Sequence, residues 1–310
     1  MLTDSIPRQE RSCPVCSQQN YLLFSNESID SSKINDFTYA SRKKPEFMCY
    51  KLLRCINCDL IYTPSPPESN FLTNAYANAS YDSGEEAGFA ANSYAISLDK
   101  SIKNFPTKKA AVDIGAGNGA FLPWLVDQGF SPVIGIEPSD AAIQSAPSNI
   151  RPMLYKGMFS KAMVYDLELS FISSFMTLEH VLDPLNFIKV AYEALSPGGM
   201  LAVVTHNWRA PINRILGLRS PIIDVEHLQL FSPLSIKTLF ESSGFENILI
   251  KNITNIYPLK YWIRLSPFPP FINNLIFDFS NFSKIINIKI PLKVGNILTL
   301  ANKPLNNSRL

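Results

Sequence analysis

From residue 109 onward, apolar positions arrive in short runs rich in Val, Ile, Leu and Ala, and longer stretches of helical spacing separate them. Runs at 110–114, 133–137, 153–156, 169–174, 200–205, 247–252 and 296–301 read as strands. Strand alternating with helix predicts an α/β fold, here a seven-stranded, doubly wound, Rossmann-like sheet. The last two runs, GFENILIKNIT and GNILTLANKP, read as a closing antiparallel pair interrupted by an aromatic and basic insert at 256–290. The region before residue 109 has a different pattern. Residues 1–64 predict a small β-rich lobe with a strand near 47–54, and YTPSPPESN breaks the pattern near residue 65. Residues 65–105 predict a helical linker or lid with a loop around 82–88. The third segment is 106–310.

Charge adds one asymmetry. The 310 residues carry a net +2, which makes no general case for nucleic acid. Residues 251–310, however, hold eight Lys or Arg against the single acid Asp278, a local +7 that leaves −5 for the remainder. Such a segment suits a phosphate-bearing ligand or an anionic surface, or is a solvated rim. Residues 256–290 read as a lid over the substrate, as a peripheral membrane contact, or as packing against the sheet. The opening MLTDSIPRQER lacks the apolar core of a secretory signal, and no run approaches the ~20 apolar residues of a membrane span. The expected compartment is the reducing cytoplasm, where five cysteines argue for metal or chemistry rather than disulfides.

Four of those cysteines form two knuckles, Cys13-Pro-Val-Cys16 and Cys55-Ile-Asn-Cys58. Two residues between thiolates let both reach one tetrahedral ion, and two such pairs close a structural zinc site with no position left for water. Cys49 stands apart as a strand residue.

The stretch VDIGAGNGAF fits two templates. Gly115-x-Gly117-x-x-Ala120 reads as a dinucleotide loop, and Gly115-x-Gly117-x-Gly119 as the first turn of an S-adenosylmethionine site. Glu137, 22 residues beyond Gly115, ends the next strand where a carboxylate accepts from ribose hydroxyls in either case. Asp113 discriminates, because an acid there faces a methionyl ammonium but repels a pyrophosphate.

The loop is followed by EHVLDP at 179–184 and LSPGG at 195–199. In that order and spacing the sequence resembles the class I S-adenosylmethionine-dependent methyltransferases. The resemblance implies cofactor contacts from Asp113, Gly115, Gly117, Gly119 and Glu137. It also implies an apolar contact to adenine from Met158, where the family often carries an acid. With the paired cysteines ahead of the fold, the layout resembles the sugar C-methyltransferases. That implies transfer of a methyl group to carbon of a nucleotide-linked keto-deoxysugar, with Tyr76, His180, Glu226 and His227 matching the family's polar site residues.

The chemistry points to the same side chains. A carbon acceptor beside a ketone needs a base and a donor near the developing oxyanion, whereas an oxygen acceptor needs the base alone. Of only three histidines, His180 and His206 fall at strand carboxyl ends, and His227 lies in the following loop. The expected base is His227, oriented by Glu226, with His180 and Tyr76 bonding the acceptor. Alternatives stay open: an O-methyltransferase on a quinone, polyketide or saccharide, an rRNA methyltransferase, or a binding module that has lost catalysis. A near-neutral lobe and the lack of an Asn-Pro-Pro-Tyr motif weigh against RNA.

Overall fold

The computed structural model describes residues 6–40, 45–82, 84–264 and 285–305. The chain opens with β1 (Tyr21–Ser25), β2 (Leu52–Cys55) and β3 (Ile61–Tyr62). The expected strand at 47–54 forms only from Leu52, because Phe47 sits at φ 56°, outside extended backbone. Two helices follow, α1 (Ser69–Ala77) and α2 (Gly84–Lys103). The loop expected at 82–88 ends early, since α2 starts at Gly84. Glu85 and Glu86 in its first turn complement the helix dipole. Ala87, Ala90, Ala91, Tyr94, Leu98 and Ile102 bury one face.

The central unit runs β4 (Ala110–Ile114), α3 (Leu122–Asp127), β5 (Val133–Glu137), α4 (Asp140–Ser145), β6 (Leu154–Lys156) and β7 (Leu169–Phe175). It continues with α5 (Pro184–Ala194), β8 (Leu195–His206), α6 (Pro211–Leu216), β9 (Gln229–Leu230), α7 (Pro233–Ser242) and β10 (Glu246–Asn252). β11 (Asn255–Pro258), α8 (Leu259–Arg264), β12 (Lys289–Leu292) and β13 (Asn296–Asn302) complete it. Seven strands join in the order β10-β13-β8-β7-β4-β5-β6. β4 to β8 pair in parallel, and β13 enters antiparallel between β8 and β10, which is the anticipated closing pair. β8 is longer than expected because Lys303 keeps exchanging bonds with Gly198 and Gly199 beyond β13.

Both faces of the sheet are covered. One packs on α5 and α7 through Ile188, Ala191, Ile236 and Phe240, and that core continues into Cys13, Cys55 and Cys58. The other packs on α2 and α3 through Tyr94, Leu98, Ile102, Leu122 and Leu125. The insert opens as a β11–β12 antiparallel pair carrying α8, with β11 laid on α2. Its middle, residues 265–284, lies outside the described residues. No helix among the described residues is long and apolar enough to cross a membrane.

The lobe does not finish its own sheet. The four-stranded order is β1-β2-β3-β9, so Gln229 and Leu230 supply the last strand, pairing with Tyr62 and Ile61.

Candidate active site

Strand order reverses between β4 and β7, and there a cavity of about 730 Å³ opens past the strand carboxyl ends. At one end Gly115, Gly117, Glu137 and Met158 line it; at the other, Tyr76, His180, His206, Glu226 and His227. All but two of the sequence-selected cofactor and catalytic residues therefore line a single space, and the two exceptions, Asp113 and Gly119, flank it on the same strand and glycine loop.

The cofactor end is built from backbone. Gly115 has φ 74°, and a Cβ there would collide with Thr177 Oγ1, so glycine lets the loop pass the end of β7. A Cβ on Gly117, at φ 56°, would point toward the Tyr81 hydroxyl at 3.8 Å, into the space a ligand would use. Gly119 instead packs on Ile150. The Glu137 carboxylate accepts from Gly117 N and from Ser139 N, each at 2.8 Å, and this fixes both oxygens at the cavity edge. Asp113 is buried, accepts from Ser173 Oγ at 2.7 Å and faces a small adjoining cavity with Ala87, Ala91 and Tyr94. Met158 is 47% exposed beside Phe159, whose ring meets Phe187 edge-on. Three further wall residues, Tyr81, Tyr94 and Thr177, were not selected from sequence. Position just past the carboxyl end of β7 is the signal that would have flagged Thr177.

The acceptor end gathers three imidazoles. The His180 and His227 rings are 4.9 Å apart, and His206 and His227 are 5.3 Å apart. Each ring is held through Nδ1. His227 Nδ1 lies 2.9 Å from Ile222 O, and His180 Nδ1 lies 3.1 Å from Glu226 O. A carbonyl only accepts, so Nδ1 carries the proton in both rings and Nε2 is the proton-accepting nitrogen. His227 Nε2 is 3.7 Å from Glu226 Oε1. His206 Nδ1 is 2.9 Å from Asn296 Oδ1, and Asn296 donates onward to Asn255 at 3.1 Å. Burial draws His206 down to about 4, against the pull of Asn296, so it stays neutral although the cavity still reaches its ring. The Tyr76 hydroxyl donates to His180 O at 3.4 Å. Burial, reinforced by the charges of Glu226 and Tyr50, pushes Tyr76 well up and keeps it a donor.

Beneath these rings Glu179 is fully buried. Its Oε1 accepts from His206 N at 2.6 Å, and its main-chain oxygen accepts from Leu228 N at 2.9 Å. Burial raises its carboxyl to about 7, and Oε2 has no partner among the described residues, which suits the protonated form. Helix α7 is capped by Ser232 and Ser235, which leaves Glu226 and His227 to the cavity.

The lobe fastens this end. Arg11 donates to Leu182 O at 2.6 Å, Leu228 O at 2.9 Å and Thr63 O at 2.9 Å, bridging the loops that carry His180 and His227. Burial draws it down to about 10, so it remains charged near neutrality. Two residues later stands Cys13. The ligand atoms of Cys13, Cys16, Cys55 and Cys58 lie within 4.8 Å of one another, with Cys13–Cys58 and Cys16–Cys55 each at 3.5 Å. Sulfurs about 2.3 Å from one tetrahedral ion stand roughly 3.8 Å apart, so the four positions fit a closed thiolate site. Asp59 completes the seam. Despite burial, bonds from Arg209 and Arg54 hold its carboxyl below the usual range.

With this geometry in place, comparisons bear on family. A methyltransferase-domain model matches residues 89–250, more than half of the chain. None of the curated proteins compared matches it. Among solved structures, an S-adenosylmethionine-dependent methyltransferase of Thermotoga maritima is 20% identical (TM-score 0.44; 71% of this chain, 93% of that one). One from Archaeoglobus fulgidus is 16% identical (TM-score 0.47; 76% and 100%). Haemonchus contortus phosphoethanolamine N-methyltransferase 2, in complex with S-adenosyl-L-methionine, is 15% identical (TM-score 0.42; 68% and 52%). The chain belongs to that methyltransferase-domain family and is an S-adenosylmethionine-dependent methyltransferase.

Proposed function

We propose that the enzyme methylates carbon beside the ketone of a nucleotide-linked keto-deoxysugar, with His227 as the base. When bound, S-adenosylmethionine supplies an electrophilic methyl group. Gly115 and Gly117 would let its chain lie against backbone, Glu137 would accept from its ribose hydroxyls, and Met158 would cover its adenine. Asp113 would meet the methionyl ammonium from the adjoining cavity. His227, protonated at Nδ1 through Ile222 O, takes the acceptor proton at Nε2. Glu226, 3.7 Å from that nitrogen, stabilises the imidazolium that results. Tyr76 and His180 orient the acceptor, and the Tyr76 hydroxyl is the donor for the oxygen where enolate charge gathers. The observation that carries the reading is the pairing, in one cavity contiguous with the glycine loop, of a tautomer-fixed base and a tyrosine held protonated.

The four cysteines would hold a structural zinc ion, with Arg11 passing the lobe's rigidity to both catalytic loops.

One observation favours a second reading. None of the described residues lining the cavity is Lys or Arg, and Ile212, Leu216, Ile222 and Trp262 form an apolar wall. Such a wall suits O-methylation of a small apolar acceptor by the same base. Incubation with methyl-¹³C cofactor and either a thymidine diphosphate keto-deoxysugar or a phenolic acceptor separates the two. A new C–CH₃ carbon resonance supports the first reading, an O–CH₃ resonance the second. Transfer to neither, by protein that binds the cofactor, overturns both.

A further inference from the structure

Three exposed apolar side chains lie within seven residues on the connection between β8 and β9. Ile212, Ile215 and Leu218 recur every third residue along α6 and the turn that follows, and are 40%, 81% and 52% exposed. Arg214 and Arg219 lie among them, both exposed. The other six described arginines are engaged. Arg8 pairs with Glu27, Arg54 and Arg209 with Asp59, and Arg264 with Glu86, while Arg11 and Arg151 donate to main-chain carbonyls. Arg214 and Arg219 have no such partner among the described residues.

The tip is held from below. Asn213 is buried, donating to Asn207 O and accepting from Ser220 Oγ, each at 2.9 Å. It also borders the acceptor end, since Ile212 and Leu216 line the cavity. An apolar surface therefore runs from the outside of α6, over the rim, to the histidines. Apolar side chains alternating with uncommitted guanidiniums match the boundary between lipid tails and anionic headgroups. A two-fold contact between copies would instead set Arg214 and Arg219 against like charges.

We propose that this tip docks on an anionic lipid bilayer, Ile215 and Leu218 entering the headgroup–acyl boundary, Arg214 and Arg219 on lipid phosphates, and the rim of the acceptor cavity against the membrane. Co-sedimentation of the full chain with vesicles of phosphatidylglycerol in phosphatidylcholine, against phosphatidylcholine alone, tests it without any turnover. Wild-type protein is expected on the anionic vesicles only, and salt should release it. Ile215→Asp with Leu218→Asp should lower partitioning at least about tenfold. Arg214→Ala with Arg219→Ala should lower it about 30-fold. Both pairs should keep the wild-type melting temperature and heat of S-adenosylhomocysteine binding. If the aspartates disturb folding, Ile215→Gln carries the test. Wild-type protein left in the supernatant, or a double aspartate variant that binds like wild type, overturns the proposal. So does a wild-type dimer, seen by light scattering, that the aspartates dissolve in the absence of vesicle binding.

Discussion

At the end of the cavity proposed for the cofactor, most of the candidate groups come from one short stretch, 113–119, joined by Glu137 and Met158, and much of what they present is main chain: three glycines and the N–H groups that hold a single carboxylate. At the acceptor end Tyr76, His180, His206 and the Glu226–His227 pair arrive on four separate segments. Their relative position depends on Glu179 below and Arg11 from the lobe. The first end is local and should survive injury elsewhere. The second is a tertiary assembly and should fail when any distant strut is removed. A scaffold built this way can keep one cofactor while its acceptor chemistry is rebuilt by changes to loops.

The largest test of that contrast is removal of the zinc proposed for the four cysteines. Zinc measured by plasma emission should be near one per chain, and it should contribute on the order of 10 kcal/mol to folding of the lobe. Chelation should therefore abolish turnover through loss of the Arg11 bridge while S-adenosylhomocysteine still binds within a few-fold by calorimetry. Loss of both together would erase the distinction. His227→Ala should make the same separation locally, lowering kcat by about 10²–10⁴-fold with cofactor affinity unchanged. Activity that persists would remove His227 as the base.

Glu179 and His206 give a subtler handle. A carboxyl raised from 4.5 to about 7 costs the folded state stability as pH rises across that interval. A histidine lowered from 6.5 to about 4 does the opposite, and folding gains as pH rises from 4 to 6.5. The two contributions oppose each other between pH 4.5 and 6.5. Glu179→Gln should unmask the histidine slope, so that the unfolding free energy from denaturant titrations rises more steeply with pH between 4 and 6.5 than in wild type, by up to about 3 kcal/mol over that range. A variant whose slope over that range equals that of wild type would show that Glu179 titrates normally. The smallest expected change runs the other way. Glu137→Ala should weaken S-adenosylhomocysteine about 10–100-fold while kcat at saturating cofactor holds. A fall in kcat alone would blur the two ends.

The same locality explains what the sequence exposes. Runs 110–114 and 133–137 are buried on both faces and β-branched, so their limits coincide with β4 and β5. The glycine loop and Glu137 follow directly, because each is read from its neighbours in the chain. The bracing of the acceptor end is not legible that way. His206 is defined by Asn296, 90 residues away, and Arg11 by carbonyls 171 and 217 residues away. Glu179 reads as half of a Glu-His pair and shows its burial only once β8 lies over it. β9, with two residues, is too short to leave any period.

That two-residue strand has a consequence during synthesis. Tyr62 leaves the ribosome 167 residues before Gln229, an interval on the order of ten to thirty seconds at ordinary elongation rates. Throughout it the nascent N-terminal sheet has an unsealed border, open to stray pairing with any extended peptide nearby. A metal ion on the four clustered thiols, as proposed above, would help keep the newborn lobe ordered until its closing piece emerges.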